Sequence, residues 1–147
     1  GHLIGNHTVT HPWLALQSAG RVRQELAGCN AALNDVLGEK VRFFRPPHGS
    51  RRPEVVRIAR EMGLTAVMWN AMGYDWRRNT SADRIVEHLE RGIIRNRERG
   101  RGSNLLLHDG GDLAMGTDRS QSVKATREIL ERYPPGKVQY VTADAWE

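Results

Sequence analysis

His7 and His11 stand four residues apart in the segment Gly1–His11 (GHLIGNHTVTH), with Thr8 and Thr10 between them. On one helical turn this spacing puts two imidazoles on the same face, close enough to share a metal ion. Two neutral nitrogens make only half of a zinc site. The spacing by itself also fits two unrelated histidines. Three more polar groups could do chemistry: Arg45-Pro46-Pro47-His48-Gly49, Gly73-Tyr74-Asp75-Trp76 and His108-Asp109-Gly110-Gly111. Each has a plain alternative. RPPHG suits a rigid turn, since proline fixes φ and glycine allows positive φ. Asp75-Trp76 fits a core tryptophan beside a solvated carboxylate, and His108 fits a satisfied histidine at a strand end.

The elements around these groups decide between the readings. Val41–Arg45, Thr65–Asn70, Asn104–His108 and Val138–Thr142 are short apolar runs and read as buried strands. Between them lie helical patterns. Ser18–Leu37 carries Val22, Leu26, Cys29, Leu33, Val36 and Leu37 on one stripe and stops at Gly38. Pro53–Met62 opens with proline and stops at Gly63. Ser81–Arg99 has Ser81 as N-cap with Ile85, Val86, Leu89 and Ile93 inward. Arg119–Tyr133 carries Val123, Ile129 and Leu130 and stops before Pro134-Pro135. Alternating helices and strands predict an α/β fold with mostly parallel strands. In such folds chemistry gathers at the C-terminal ends of strands. The RPPHG, GYDW and HDGG groups all fall there.

Composition narrows the class. A chain of 147 residues has room for one domain with a real core. One cysteine, Cys29, excludes an internal disulfide and a cysteine-based zinc site. No apolar run approaches the roughly 20 residues of a membrane span. The net charge of +5 comes mostly from arginine, clustered at Arg91, Arg95, Arg97, Arg99 and Arg101. Such a cluster could attract an anionic polymer, including nucleic acid. It also reads as a solvated helix face, and no aromatic residue is interleaved with it to stack on bases.

Taken in order, the motifs resemble those of the polysaccharide deacetylases (the NodB-homology domain, carbohydrate esterase family 4). The family's H-[ST]-x-x-H motif matches His7-Thr8-Val9-Thr10-His11, and R-x-P-[YF] matches Arg45-Pro46-Pro47-His48. D-x-x-D-W matches in its last two positions, Asp75-Trp76, with Met72 at the first aspartate. L-x-H matches Leu106-Leu107-His108. The resemblance covers essentially the whole chain. It implies one domain over residues 1–147, built as a partial or distorted (β/α) barrel of mostly parallel strands. It departs from the family at His48, where the family has an aromatic residue. The first motif of the family, T-F-D-D-G, does not occur in this sequence. The resemblance places it upstream of Gly1, so the chain reads as an N-terminally truncated domain lacking its first strands. In-frame coding for that motif upstream of Gly1 is the check.

The resemblance implies hydrolysis of an N-acetyl group on an amino-sugar polymer. His7 and His11 would bind a divalent metal, zinc by preference. Pro47 and His48 would be substrate-binding, with the His48 backbone N–H meeting the oxyanion. His108 would be the general acid, with Asp75 holding its protonated form. Arg45 would orient the aspartate base, and Trp76 and Leu106 would wall a pocket for the acetyl methyl. Of the two aspartates in the absent motif, one is the family's base and the other its third metal ligand. Asp109 and Asp112 are unfitting substitutes because they lie on a different loop. The expected partner is an N-acetylated polysaccharide or oligosaccharide, with no nucleic acid expected, and the expected place is the cell envelope or outside the cell. Two alternatives come from other classes: a catalytically dead carbohydrate-binding module of the same fold, and, more distantly, a basic nucleic-acid-binding protein.

Overall fold

The computed structural model describes residues 2–111 and 117–146, with side chains through Asp144, so Asp112 lies outside the described residues. The chain forms two compact units, Gly1–Met68 and Trp69–Glu147. Both are α/β with parallel strands, as the alternating pattern predicts.

The first unit has three strands, β1 (Gly5–Asn6), β2 (Phe43–Phe44) and β3 (Thr65–Ala66), paired in parallel in that order. Two helices link them, α1 (Ala19–Leu37) and α2 (Pro53–Glu61). The Ser18 side chain caps α1 by accepting the Arg21 amide, and Gly38 ends it in left-handed backbone at φ 70°. Leu14, Val22, Leu26, Phe44, Val55, Ile58, Ala59 and Leu64 form one core. The α1 stripe is shorter than its periodicity suggests. Val36 is 82% exposed and Leu37 is exposed too, so the last turn of α1 runs past the sheet it covers.

The second unit pairs β4 (Ala71–Met72) with β5 (Leu105–Leu106), also in parallel. The helices α3 (Ala82–Glu98) and α4 (Ser120–Arg132) complete it. Ile85, Val86, Leu89, Ala125 and Ile129 are the core, with Ile93 packed beside them. Gly92 lets α3 lie directly on β4: a Cβ there would come within 2.5 Å of the Ala71 Cβ. On α4 the inward residues are Ser122, Ala125 and Ile129, while Val123 and Leu130 face outward.

Two expectations for the strands need correction. The run Val41–Arg45 pairs only at Phe43–Phe44, and Thr65–Asn70 only at Thr65–Ala66. The run Val138–Thr142 forms no strand; Val138 makes one isolated bridge to Pro135, and Tyr140 and Val141 are exposed. β-propensity becomes a strand only where a neighbouring backbone accepts the pairing. Neither sheet closes into a barrel among the described residues. No described helix is long and apolar enough to cross a membrane.

Candidate functional site

In the first unit, His7 follows β1 directly. The His7–His11 segment is a loop, not the helical turn that the spacing suggests. Thr8 and His11 take left-handed backbone, at φ 68° and 56°. The loop's amides have acceptors that a helix would not use. The Asn6 side-chain oxygen accepts the Thr8 amide at 2.9 Å, and the Thr8 hydroxyl accepts the His11 amide at 3.1 Å. Glu25 of α1 accepts the Val9 and Thr10 amides, each at 2.9 Å. The rings nevertheless meet, with centroids 5.0 Å apart. A tight loop therefore does what the helical turn was expected to do.

The His7 ring is held through Nδ1. Its Nδ1 lies 2.5 Å from the Arg45 carbonyl oxygen, which can only accept. The proton therefore sits on Nδ1 and the lone pair on Nε2, the tautomer fixed by the usual second partner of a ligating histidine. Among the described residues, no three His, Cys, Asp or Glu side chains converge closely enough to hold a metal ion. The pair thus fits two positions of a metal site.

The turn after β2 brings a third imidazole to this place. His48 has left-handed backbone, φ 56°, behind the buried Pro46 and Pro47. Its ring stacks on Trp13 at 4.2 Å and stands edge-on to His11 at 4.5 Å. His48 Nε2 donates to the His11 carbonyl at 3.3 Å. The sequence reading used only the His48 backbone, so this side-chain contact is additional. Arg45 donates from Nε to the Val67 carbonyl at 3.3 Å, and burial pushes its pKa below the usual arginine value.

In the second unit, β4 and β5 deliver Asp75 and His108 to one point. Asp75 Oδ1 accepts from His108 Nδ1 at 2.8 Å. Asp75 Oδ2 accepts the His108 amide at 2.7 Å and the Ser122 hydroxyl at 2.8 Å. The Asp75 side chain is fully buried, whereas that of His108 is 38% exposed. Burial alone would raise the Asp75 pKa. The hydrogen bonds from the His108 ring, the His108 amide and Ser122, with the His108 charge, outweigh it and hold the carboxyl below its ordinary range. An ionised Asp75 fixes the proton on His108 Nδ1, so Nε2 is the nitrogen that exchanges protons with a reactant. Trp76 stands edge-on to the His108 ring at 5.2 Å and is 44% exposed. Leu106 is buried at 8% exposure, so it lies inside the unit with little surface to offer a ligand.

Four supporting residues escaped the motif reading. Asn6, Glu25 and Ser122 are buried polar residues. Glu25 and Ser122 fall on the inward stripes of α1 and α4, between apolar neighbours. A polar residue on such a stripe needs a partner to offset its burial, and that is the signal that could have found them. Arg119 donates to the Asp75 carbonyl and to the Gly110 carbonyl, each at 3.0 Å. Two arginines of the cluster, both on α3, make ordinary surface contacts: Arg91 pairs with Glu87, and Arg95 donates to the Asn70 carbonyl.

Comparison with known proteins places this geometry. A family model described as polysaccharide deacetylase matches residues 1–67. A peptidoglycan-N-acetylglucosamine deacetylase of Bacillus cereus is 31% identical over 144 residues, which are 97% of this chain and 62% of that protein. A solved peptidoglycan N-acetylglucosamine deacetylase superposes with a TM-score of 0.82 at 28% identity, covering 99% of this chain and 63% of the other. A pseudoenzyme of the same carbohydrate esterase family, from Bacillus anthracis, superposes with a TM-score of 0.70 at 29% identity, covering 88% and 42%. The chain thus spans less than two thirds of each of these relatives. Similarity that runs through both units, on motifs the fold sets near strand ends, supports a NodB-homology domain of the polysaccharide deacetylase (carbohydrate esterase 4) kind.

Proposed function

We propose that this chain carries the histidine pair and the acid group of a metal-dependent N-deacetylase acting on N-acetylated amino-sugar polymers of the cell envelope or outside the cell. The Asp75–His108 pair carries the reading: a buried, ionised carboxylate bonded to a half-exposed imidazole at 2.8 Å. Two of the relatives support the substrate class, since they are peptidoglycan N-acetylglucosamine deacetylases. His7 and His11 are the residues that would hold a divalent cation, and the contact of His7 Nδ1 with the Arg45 carbonyl supports a lone pair on Nε2 for that role. A bound cation of the zinc type polarises an amide carbonyl and lowers the pKa of water.

The remaining chemistry belongs to the chain's own groups. His108 Nε2 delivers a proton to the departing amine, and Asp75 keeps the opposite nitrogen protonated throughout. The His48 backbone N–H, on the turn that Pro47 stiffens, is the oxyanion donor. Trp76 offers an exposed ring for the acetyl methyl or a sugar face. Leu106 supports that wall from beneath, since it is buried. Arg45 stands where the family orients its carboxylate base, and here its Nε donates to the Val67 carbonyl. The base and third ligand of the family motif are not in this sequence; without a base, turnover falls by about 10²–10⁴-fold.

The test is acetate release from an acetylated chito-oligosaccharide with zinc added. Slow release that disappears in His108→Ala and in His7→Ala supports the reading. A second reading, a carbohydrate-binding module without activity, is favoured by the similarity to a pseudoenzyme. Glycan binding that survives in His108→Ala, with no acetate from any form, decides for it.

A further inference from the structure

We infer that Glu25, in the middle of α1, is a positioning residue that sets the approach of His7 to His11. The inference rests on the proposed role of that pair. Glu25 Oε2 takes the Val9 and Thr10 amides, and Oε1 takes the Thr10 hydroxyl at 2.7 Å. Arg21, one turn earlier on α1, pairs with Oε1 at 2.6 Å. One carboxylate thus answers four donors, three of them from residues lying between the two histidines.

The cost of this arrangement shows what it is for. The Glu25 side chain is 1% exposed and sits between Val22 and Leu26, where an apolar residue would serve the core. Burying a carboxylate is costly unless its partners restore the lost hydration. All but one of those partners belong to the histidine loop. That loop has its own strain to hold, with left-handed backbone at both Thr8 and His11. Two bonds within the segment, from the Thr8 and His11 amides, hold its ends, and the brace from α1 holds its middle. A second contact supports the brace: Val9 packs so closely on α1 that a Cβ at Gly28 would come within 2.9 Å of its methyl. The loop is therefore moulded on α1, and Glu25 is its polar anchor.

The experiment follows the two imidazoles and cobalt(II) binding in the full chain. In the unaltered protein, ring-to-ring nuclear Overhauser contacts between His7 and His11 are expected. Glu25→Gln keeps the shape but sets an amide against a donor. It should lose those contacts and weaken cobalt binding by about 10–100-fold, the loss typical of an outer partner of a metal ligand. Its cobalt absorption spectrum should change as well, which a loss of stability alone would not cause. Thr10→Val should lose part of the affinity and Thr10→Ser none. Wild-type ring contacts and affinity in folded Glu25→Gln overturn the inference. If that variant does not fold, the same result in Thr10→Val overturns it. If the unaltered protein binds no cobalt, the metal reading fails on its own, and the ring contacts still decide the role of Glu25.

Discussion

Asp75 does at least two jobs with one carboxylate, and they separate on substitution. Oδ1 fixes the His108 tautomer, while Oδ2 ties the His108 amide to Ser122 on α4. Asp75→Asn keeps the shape but must turn its amide nitrogen toward a donor. One buried donor then loses its acceptor, at a cost of about 1–3 kcal/mol. Nitrogen NMR of the imidazole should show His108 protonated at Nδ1 in the unaltered protein and a mixture of tautomers in Asp75→Asn. Urea unfolding of the same variant should show the loss of stability; an unshifted midpoint would mean that Ser122 and the His108 amide find other acceptors. At this scale the sequence was most legible where a residue belongs to a motif. Arg45 and His108 stand at strand ends as expected; Asp75 follows β4, a strand not expected from the sequence, and His7 and His11 lie on a loop after β1 rather than on a helical turn. Asn6 and Glu25 were not legible, because their role lies in holding a loop whose backbone no spacing rule describes. Leu106 was read as a pocket wall and is buried instead, since an L-x-H pattern does not say which face of the strand its leucine takes.

At the scale of elements, α3 on β4 is the contact with least room. Placing a methyl at Gly92 improves helix propensity by about 1 kcal/mol. The same methyl would sit 2.5 Å from the Ala71 Cβ and 2.9 Å from its Cα. Backbone cannot yield as a long side chain can, so overpacking of about 1–3 kcal/mol wins. Gly92→Ala should therefore lower the urea midpoint, and Gly92→Val should lower it more. A midpoint raised by Gly92→Ala would show that α3 can withdraw from β4 without loss. Helices were read well because their signals are local: Ser18 and Ser81 cap α1 and α3, and Gly38 closes α1. Three strands, β2, β3 and β5, lie within the expected runs but are shorter, while β1 and β4 were not expected from the sequence. A strand is a relation between two segments, and the apolar run at Val138–Thr142 has no paired neighbour among the described residues. The ends of α1 and α4 were misread for a related reason. Val36 and Leu130 continue an apolar period beyond the surface that would cover it.

Across the whole molecule, the two units share one sensitivity: each keeps a buried carboxylate ionised at its functional loop. The hydrogen bonds from Thr10 and Val9, with Arg21, outweigh burial and lower the Glu25 pKa below its ordinary 4.5. Asp75 is likewise held below 3.8. Because both folded values are depressed, the unfolded chain binds more protons as pH falls through this range, and stability falls with pH. The contribution is complete above about pH 4.5, the ordinary value for Glu25, and fades as pH drops through and below 3.8, the ordinary value for Asp75. Glu61 and Asp118 are also depressed, Glu61 by Arg23 and Arg57 and Asp118 by the Ser120 amide and hydroxyl, but both are solvent-exposed. Salt separates the groups, since it screens exposed ion pairs much more than buried ones. Urea unfolding between pH 5 and 3 should keep most of its pH slope in high salt, and Glu25→Gln and Asp75→Asn should each flatten it. A slope abolished by salt alone would place the acid sensitivity on the surface and leave the two buried carboxylates without the role assigned to them.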